Sequence, residues 1–176
     1  MPTELTLRDA VPSDARVICS IHNESIYTQT ATMETVLKTP SEVVDWMAHL
    51  DEREALLVAE LDGEVVGWGV VKKYSERPGY RWAGETSVYL RRELRGRGIG
   101  TRLKKALIER CRAIGYHYLL ARIVAANAES IEYNLRLGYE WVGVMREAGR
   151  LAGDWCDIAV LQLVLDGPDE DDHPAW

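Results

Sequence analysis

The densest chemistry in the 176-residue chain lies in Arg95-Gly96-Arg97-Gly98-Ile99-Gly100. Glycines at alternate positions let a backbone turn tightly and approach a ligand closely. The residues that follow, with Ile99, Leu103, Ala106, Leu107, Cys111 and Ile114 on one face, have helical spacing. A loop that enters a helix in this way is an anion site. The first-turn N–H groups lack partners, and that end of the helix carries a partial positive charge. Arg91, Arg92, Arg95, Arg97, Arg102, Lys104 and Lys105 crowd the same window and offer charge-assisted bonds. A nucleotide P-loop is excluded because Gly100 is followed by Thr101-Arg102 rather than Lys-Ser/Thr. A dinucleotide loop needs Gly-x-Gly-x-x-Gly, whereas the glycines here are Gly96, Gly98 and Gly100. Taken alone, the loop is also compatible with a Gly-rich turn bearing a solvated basic face.

The elements that must position this loop are legible on either side of it. Glu4–Arg8 alternates polar and apolar residues, as a strand does. Pro12-Ser13-Asp14 starts a helix over Ala15–Tyr27, and Thr39-Pro40-Ser41 starts another that carries Val43, Val44, Trp46, Met47 and Leu50. Ala55–Leu61 and Glu64–Lys73 are strands joined by the hairpin signal Asp62-Gly63. Gly67 and Gly69 mark a bulge or a close backbone approach in the second of them. Tyr80–Leu90 is a strand leading into the Gly/Arg loop, and Gly115 ends the helix behind it. Tyr118–Val124 is a buried strand and Asn127–Leu137 a helix. Tyr139–Met145 and Trp155–Leu165 are strands separated by a Gly-containing loop. Hairpins mixed with helical crossovers predict an α+β fold with a mixed sheet. Residues 1–166 form one domain; the tail 167–176, acidic and holding two prolines, is expected to be disordered.

Composition narrows the partners. A net charge of −7 argues against a nucleic-acid binder but not against an anionic ligand, because the basic residues are clustered. No apolar run approaches the ~20 residues of a membrane span, and no signal peptide is visible. Cys19, Cys111 and Cys156 have no metal-binding spacing, and reduced thiols fit a cytoplasmic location. His22, His49 and His117 are isolated, so no metal or triad constellation emerges. There is no Phe, so aromatic volume falls to six Trp and eight Tyr, some of which should line a site or an interface.

Several segments resemble one family. Arg95-x-x-Gly98-x-Gly100 is similar to the Gln/Arg-x-x-Gly-x-Gly/Ala signature of the GCN5-related (GNAT) N-acetyltransferases. Leu7-Arg8-Asp9-Ala10, Asp14-Ala15, Asn127-x-x-Ser130-Ile131 and Leu137-Gly138-Tyr139 resemble its other landmarks in order, over roughly residues 4–166. A narrower resemblance is to the phosphinothricin and methionine sulfoximine acetyltransferases. It rests on Arg77 to Tyr89, on His22-Asn23 with Tyr27, and on Gly153-Asp154-Trp155-Cys156-Asp157.

The resemblance implies a central mixed, mostly antiparallel sheet with splayed parallel strands, flanked by helices, and acetyl-CoA as co-substrate with no metal. The cofactor arm would lie against Val88, Tyr89 and Leu90, and its pyrophosphate on Arg95, Gly96, Arg97, Gly98, Ile99, Gly100 and Thr101. Asn127 matches the position that bonds the arm from the other splayed strand. Glu85 matches the catalytic glutamate; an amine must be neutral to attack, so something must accept its proton. An ordinary ion pair at the rim is the alternative for Glu85. Asn134 stands where relatives carry a Tyr or His that reprotonates the CoA thiolate, which leaves the general acid unassigned.

Arg77, Tyr80, Trp82 and Tyr27 would meet the substrate, since a guanidinium suits a carboxylate. Trp155 and Asp157 are expected to serve core and turn, with the pocket or the dimer seam as the alternative. The implied reaction is direct acetyl transfer to the α-amine of a small amino-acid-like molecule of the phosphinothricin or methionine sulfoximine type, by a homodimer. The rivals are the same chemistry on a polyamine, antibiotic or protein N-terminus, and a non-catalytic acyl-CoA sensor.

Overall fold

The computed structural model describes residues 4–29 and 31–165; the acidic tail lies outside the described residues. The elements are β1 (Leu5–Asp9), α1 (Ala15–Tyr27), α2 (Pro40–Ala48), β2 (Ala55–Leu61), β3 (Glu64–Lys73), β4 (Ala83–Leu90), α3 (Ile99–Ile114), β5 (Tyr118–Val124), α4 (Ala128–Arg136), β6 (Glu140–Leu151) and β7 (Asp154–Val164). One seven-stranded sheet runs β1-β2-β3-β4-β5-β7-β6. Every neighbouring pair is antiparallel except β4 and β5. The expected mixed, mostly antiparallel sheet with flanking helices is therefore present.

Strand alternation explains the two cores. In β2, Ala55, Leu57 and Ala59 face α3, with Leu103, Leu107, Cys111 and Leu161. Leu56 and Val58 face α1 and α2, with Ile18, Ile21, Val43 and Trp68. A strand covered on both faces must be apolar throughout, which is why β2 reads as an unbroken run. Trp46 and Met47 pack against the second core, as expected. The α2 start is a capping box in which Thr39 Oγ1 accepts from Glu42 N while Glu42 accepts from Thr39 N.

Two boundaries differ from the sequence reading. Pro78–Tyr80 form a 3-10 turn, with Tyr80 N donating to Arg77 O, so β4 begins only at Ala83. The predicted loop between the last two strands is instead the far half of β6. Register shifts at Trp141/Gly143 and Met145/Gly149 absorb the irregular stretch, and the hairpin closes at Ala152-Gly153. Trp155 is 63% exposed, so it is not a core residue. Asp157 does stabilise the turn, because its Oδ1 accepts from Glu147 N at 2.8 Å within the bulge.

Candidate active site

β4 and β5 pair over only three residues each, Ala83–Glu85 with Tyr118–Leu120. Beyond that the strands part. Thr86–Leu90 stay bonded to β3 on their outer edge, and Ala121–Val124 to β7. Their inner edges face a gap, where backbone N–H and C=O groups are left for a ligand. The gap opens at the carboxyl ends of two parallel strands, the place where open sheets bind ligands.

The Gly/Arg loop closes one side of this gap. Gly96 and Gly98 have φ of +74° and +77°, which L side chains rarely adopt. Gly98 is the N-cap of α3, and no side chain caps that end. The uncapped first turn is therefore available to an anion. A cleft of about 330 Å³ runs along it, lined by Val88, Tyr89, Leu90, Arg95, Gly96, Gly98, Gly100, Thr101 and Asn127 from the expected set. Arg97 is exposed and does not line the cleft, and Ile99 is buried in the α3 core. Arg136, Ser130 and Tyr133, which the sequence reading did not select, also line it. The Tyr133 hydroxyl donates to Gly100 O at 2.6 Å and so ties α4 to the loop helix. Asn127 Oδ1 accepts from Ser130 N and caps α4.

A larger cavity of about 620 Å³ continues through the gap and shares Ala31, Val88, Tyr89, Asn127, Ser130 and Tyr133 with the first. Glu85 lines it. Both its carboxylate oxygens accept from Arg122, at 2.8 Å from Nε and 2.6 Å from Nη2. This pair bridges β4 and β5 where they begin to part, and it drives the Arg122 guanidinium above its ordinary range. The alternative considered for Glu85, an ion pair, is thus present, with the free lone pairs of the carboxylate still on the cavity wall. Lys72 is the register partner of Glu85 on β3 and lines the same wall.

On the same face of the sheet as Glu85 and Lys72, His22, Trp68 and Tyr89 form an aromatic cluster, with Trp68 stacked on Tyr89 at 4.4 Å. Burial lowers the His22 pKa, and neither ring nitrogen has a partner among the described residues. Asn23 donates to and accepts from the Lys38 backbone, which anchors the segment carrying Ala31, Thr32, Met33 and Glu34 against the cavity.

Asn134 is 4% exposed and lines the larger cavity; Nδ2 donates to Ser130 O, and Oδ1 has no partner among the described residues. The four residues expected at the substrate do not gather there. Tyr27 is 71% exposed and Arg77 is exposed in its loop. Tyr80 packs edge-on against Tyr74, and Trp82 has the guanidinium groups of Arg53 and Arg81 against its ring. Trp82 precedes the paired end of β4, so its position is opposite the open end of the gap. Among the described residues no cluster of three or more His, Cys, Asp or Glu side chains is placed to hold a metal. No helix among them is long and apolar enough to cross a membrane.

Residues 21–139 match the model of the Acetyltransferase (GNAT) family. The chain is 36% identical over 166 residues to an L-methionine sulfoximine/L-methionine sulfone acetyltransferase of Pseudomonas aeruginosa, covering 92% of this chain and 95% of that one. It is 32% identical to a phosphinothricin N-acetyltransferase of Streptomyces viridochromogenes, covering 92% and 88%. The crystal structure of a GNAT superfamily phosphinothricin acetyltransferase from Sinorhizobium meliloti, in complex with AcCoA, superposes with a TM-score of 0.87 at 33% identity, covering 94% of each chain. The protein belongs to the GNAT acetyltransferase family, and its likeness to the phosphinothricin and methionine sulfoximine acetyltransferases spans nearly its whole length.

Proposed function

We propose that the protein transfers acetyl from acetyl-CoA to the α-amine of a small amino-acid-like acceptor of the phosphinothricin or methionine sulfoximine type, by direct attack. The observation that carries this reading is the gap between β4 and β5, with an anion site at one end and Glu85 at the other. The donor fits the smaller half. Its phosphates meet the uncapped turn of α3 and Arg95, and its amide arm meets the open edge of Val88–Leu90. Asn127, at the N-cap of α4, flanks the arm on its other side. The acceptor enters the larger half, where Glu85 takes the amine proton directly or through a water. Lys72 supplies positive charge for a carboxylate, and His22, Trp68 and Met33 form the wall. A backbone N–H of the Val88–Leu90 segment receives the charge that develops on the carbonyl oxygen.

The exposed apolar residues of edge strand β6, Trp141, Val142, Val144 and Met145, are the face on which two copies pair. Sedimentation should give twice the mass of the chain; a monomer at micromolar concentration sinks that assignment.

The function is tested with acetyl-CoA and a panel of phosphinothricin, methionine sulfoximine, polyamines and short peptides, following thiol release. Turnover highest on the first two is expected. Preference for a polyamine or a peptide replaces the acceptor assignment, and no thiol release with any amine favours an acyl-CoA sensor. The mass of the enzyme after acetyl-CoA alone should be unchanged; an acetylated enzyme that then reacts with amine rules out direct attack.

A further inference from the structure

In the sequence Lys104 belongs to the run of basic residues around the Gly/Arg loop, yet it is 2% exposed. It sits four residues after Gly100 and four before the buried Ile108, on the flank of the apolar face of α3. Its Nζ donates to Thr86 Oγ1 at 2.7 Å and lies 4.8 Å from the centroid of the Tyr139 ring. Thr86 is within 2.7 Å of the Tyr139 hydroxyl and donates to Leu120 O. No described carboxylate forms an ion pair with Lys104. A buried lysine without one is costly and calls for a reason.

Its location supplies the reason. Lys104 lines the larger cavity together with Asn134, a buried side chain that cannot itself give up a proton and whose Oδ1 has no partner among the described residues. Successive β4 residues face opposite sides of the sheet. Glu85 therefore belongs to the wall it shares with Arg122 and Lys72, and Thr86 belongs to the wall it shares with Lys104 and Tyr139. One cavity reaches both walls through the gap. An acyl donor threaded through that gap has a proton acceptor on one side and an ammonium on the other.

Resting on the transferase reading above, we propose that Lys104 is the acid that protonates the thiolate of CoA as it leaves. The amine nitrogen bonds to the acetyl carbon, the carbon–sulfur bond breaks with its electron pair going to sulfur, and Lys104 gives sulfur a proton. The proton lost by the amine passes through Glu85 to solvent, and an equal proton from solvent restores Lys104. The sum is an amide and free thiol.

Burial is what makes a lysine fit for this step. An ordinary lysine holds its proton more tightly than a thiolate, whose conjugate acid lies near 8.5. Desolvation brings Lys104 down to about 7, out of the ordinary lysine range and into that of a thiol, so that a proton can pass to the leaving sulfur. The other groups facing it do not compete. Cys111, two turns along α3, is pushed by burial up to about 12. Burial also raises the phenols of Tyr139 and of Tyr133 on α4 above their ordinary range. Glu85 lies on the other face of β4, in its pair with Arg122 on β5.

The acid must be protonated to act, so kcat of the wild type should fall as pH rises through the Lys104 titration. Lys104→Met should lower kcat by about 100-fold or more, leave acetyl-CoA affinity by calorimetry unchanged, and abolish that alkaline limb. Lys104→Ala should regain part of its rate when methylammonium is added. A wild-type profile without an alkaline limb overturns the proposal without any variant. So does a Met variant with undiminished kcat, or one that is slow but keeps the wild-type profile while the Ala variant shows no amine rescue, which is the signature of a packing role. Failure of the transferase reading is separable, because the wild type would then release no thiol at any pH.

Discussion

The two halves of the cleft are built in opposite ways. The donor half is mostly local: β4, the Gly/Arg loop and the first turn of α3 are consecutive in the chain and offer backbone groups, with α1 and α4 closing the cleft from either side. The acceptor half draws side chains from α1, the segment after it, β3, β4, α3, β5, α4, β6 and β7, elements far apart in the chain. A backbone site depends on conformation and tolerates many side chains. A side-chain site depends on register, because moving one strand by a residue turns Glu85 and Thr86 to the wrong faces. Substitutions in the donor half should therefore change acetyl-CoA affinity alone, whereas those in the acceptor half should change kcat or the acceptor KM.

The largest expected departure is at Glu85. Glu85→Gln keeps the shape and removes the proton acceptor, so kcat should fall about 100-fold or more near neutral pH with acetyl-CoA affinity unchanged. Full turnover would reduce Glu85 to half of the ion pair with Arg122. Arg122→Met separates the two roles: it breaks the pair, and a rate loss much smaller than that of Glu85→Gln identifies the carboxylate rather than the bridge as the catalytic element.

Next in size are the arginines of the loop. Arg95 lines the donor cleft and Arg97 does not. A charge-assisted bond contributes about 1.5–3 kcal/mol, so Arg95→Glu should weaken acetyl-CoA at least tenfold and leave the acceptor KM unmoved. Arg97→Glu should act only through long-range charge, and its effect should fade as salt is raised. Equal losses at both positions would mean that a diffuse basic field, rather than a built phosphate site, holds the donor.

That difference in construction also decides what was legible in the sequence. The donor half was, because glycine spacing, an apolar helical period and a preceding strand are all written within about thirty consecutive residues. Arg97 and Ile99 show the limit: adjacency put them in the motif, but the turn sends one side chain to solvent and the other to the core. In the acceptor half Glu85 was found through the resemblance, whereas Arg122, Lys72 and the buried state of Lys104 follow from strand register and helix rotation. Lys104 had one available signal, its place four residues from both Gly100 and Ile108, and the surrounding run of basic residues hid it. Tyr80 and Trp82, expected from the sequence as pocket walls, pack in the structure against Tyr74 and against Arg53 and Arg81, contacts that no local pattern announces.

A smaller effect is expected at Gly98. Its φ of +77° costs an L-residue about 1 kcal/mol, and no atom lies within 4 Å of the Cβ that alanine would add. Gly98→Ala should therefore lower folding stability by about that amount, read as a small drop in Tm, with acetyl-CoA affinity and the acceptor KM nearly unchanged. A large loss of acetyl-CoA affinity would mean that the ligand itself occupies the space above this residue.

An effect of similar size is expected at the boundary between the halves. Tyr133 lines both, and its hydroxyl donates to Gly100 O at 2.6 Å. Tyr133→Phe removes that bond, and Gly100 O, on a helix end next to the cleft, regains water. The net change is then that of one ordinary hydrogen bond, about 1 kcal/mol. If the tie serves only to set the first turn of α3, acetyl-CoA affinity should drop by a factor of about five while kcat and its pH dependence stay put. Burial raises this phenol above its ordinary range, so it holds its proton more tightly than a free tyrosine and is a poor donor to the thiolate. Should Tyr133→Phe instead abolish the alkaline limb of kcat, the proton on the thiolate would come from α4 rather than from Lys104, and the division of the cleft into a backbone half and a side-chain half would have to be redrawn at Tyr133.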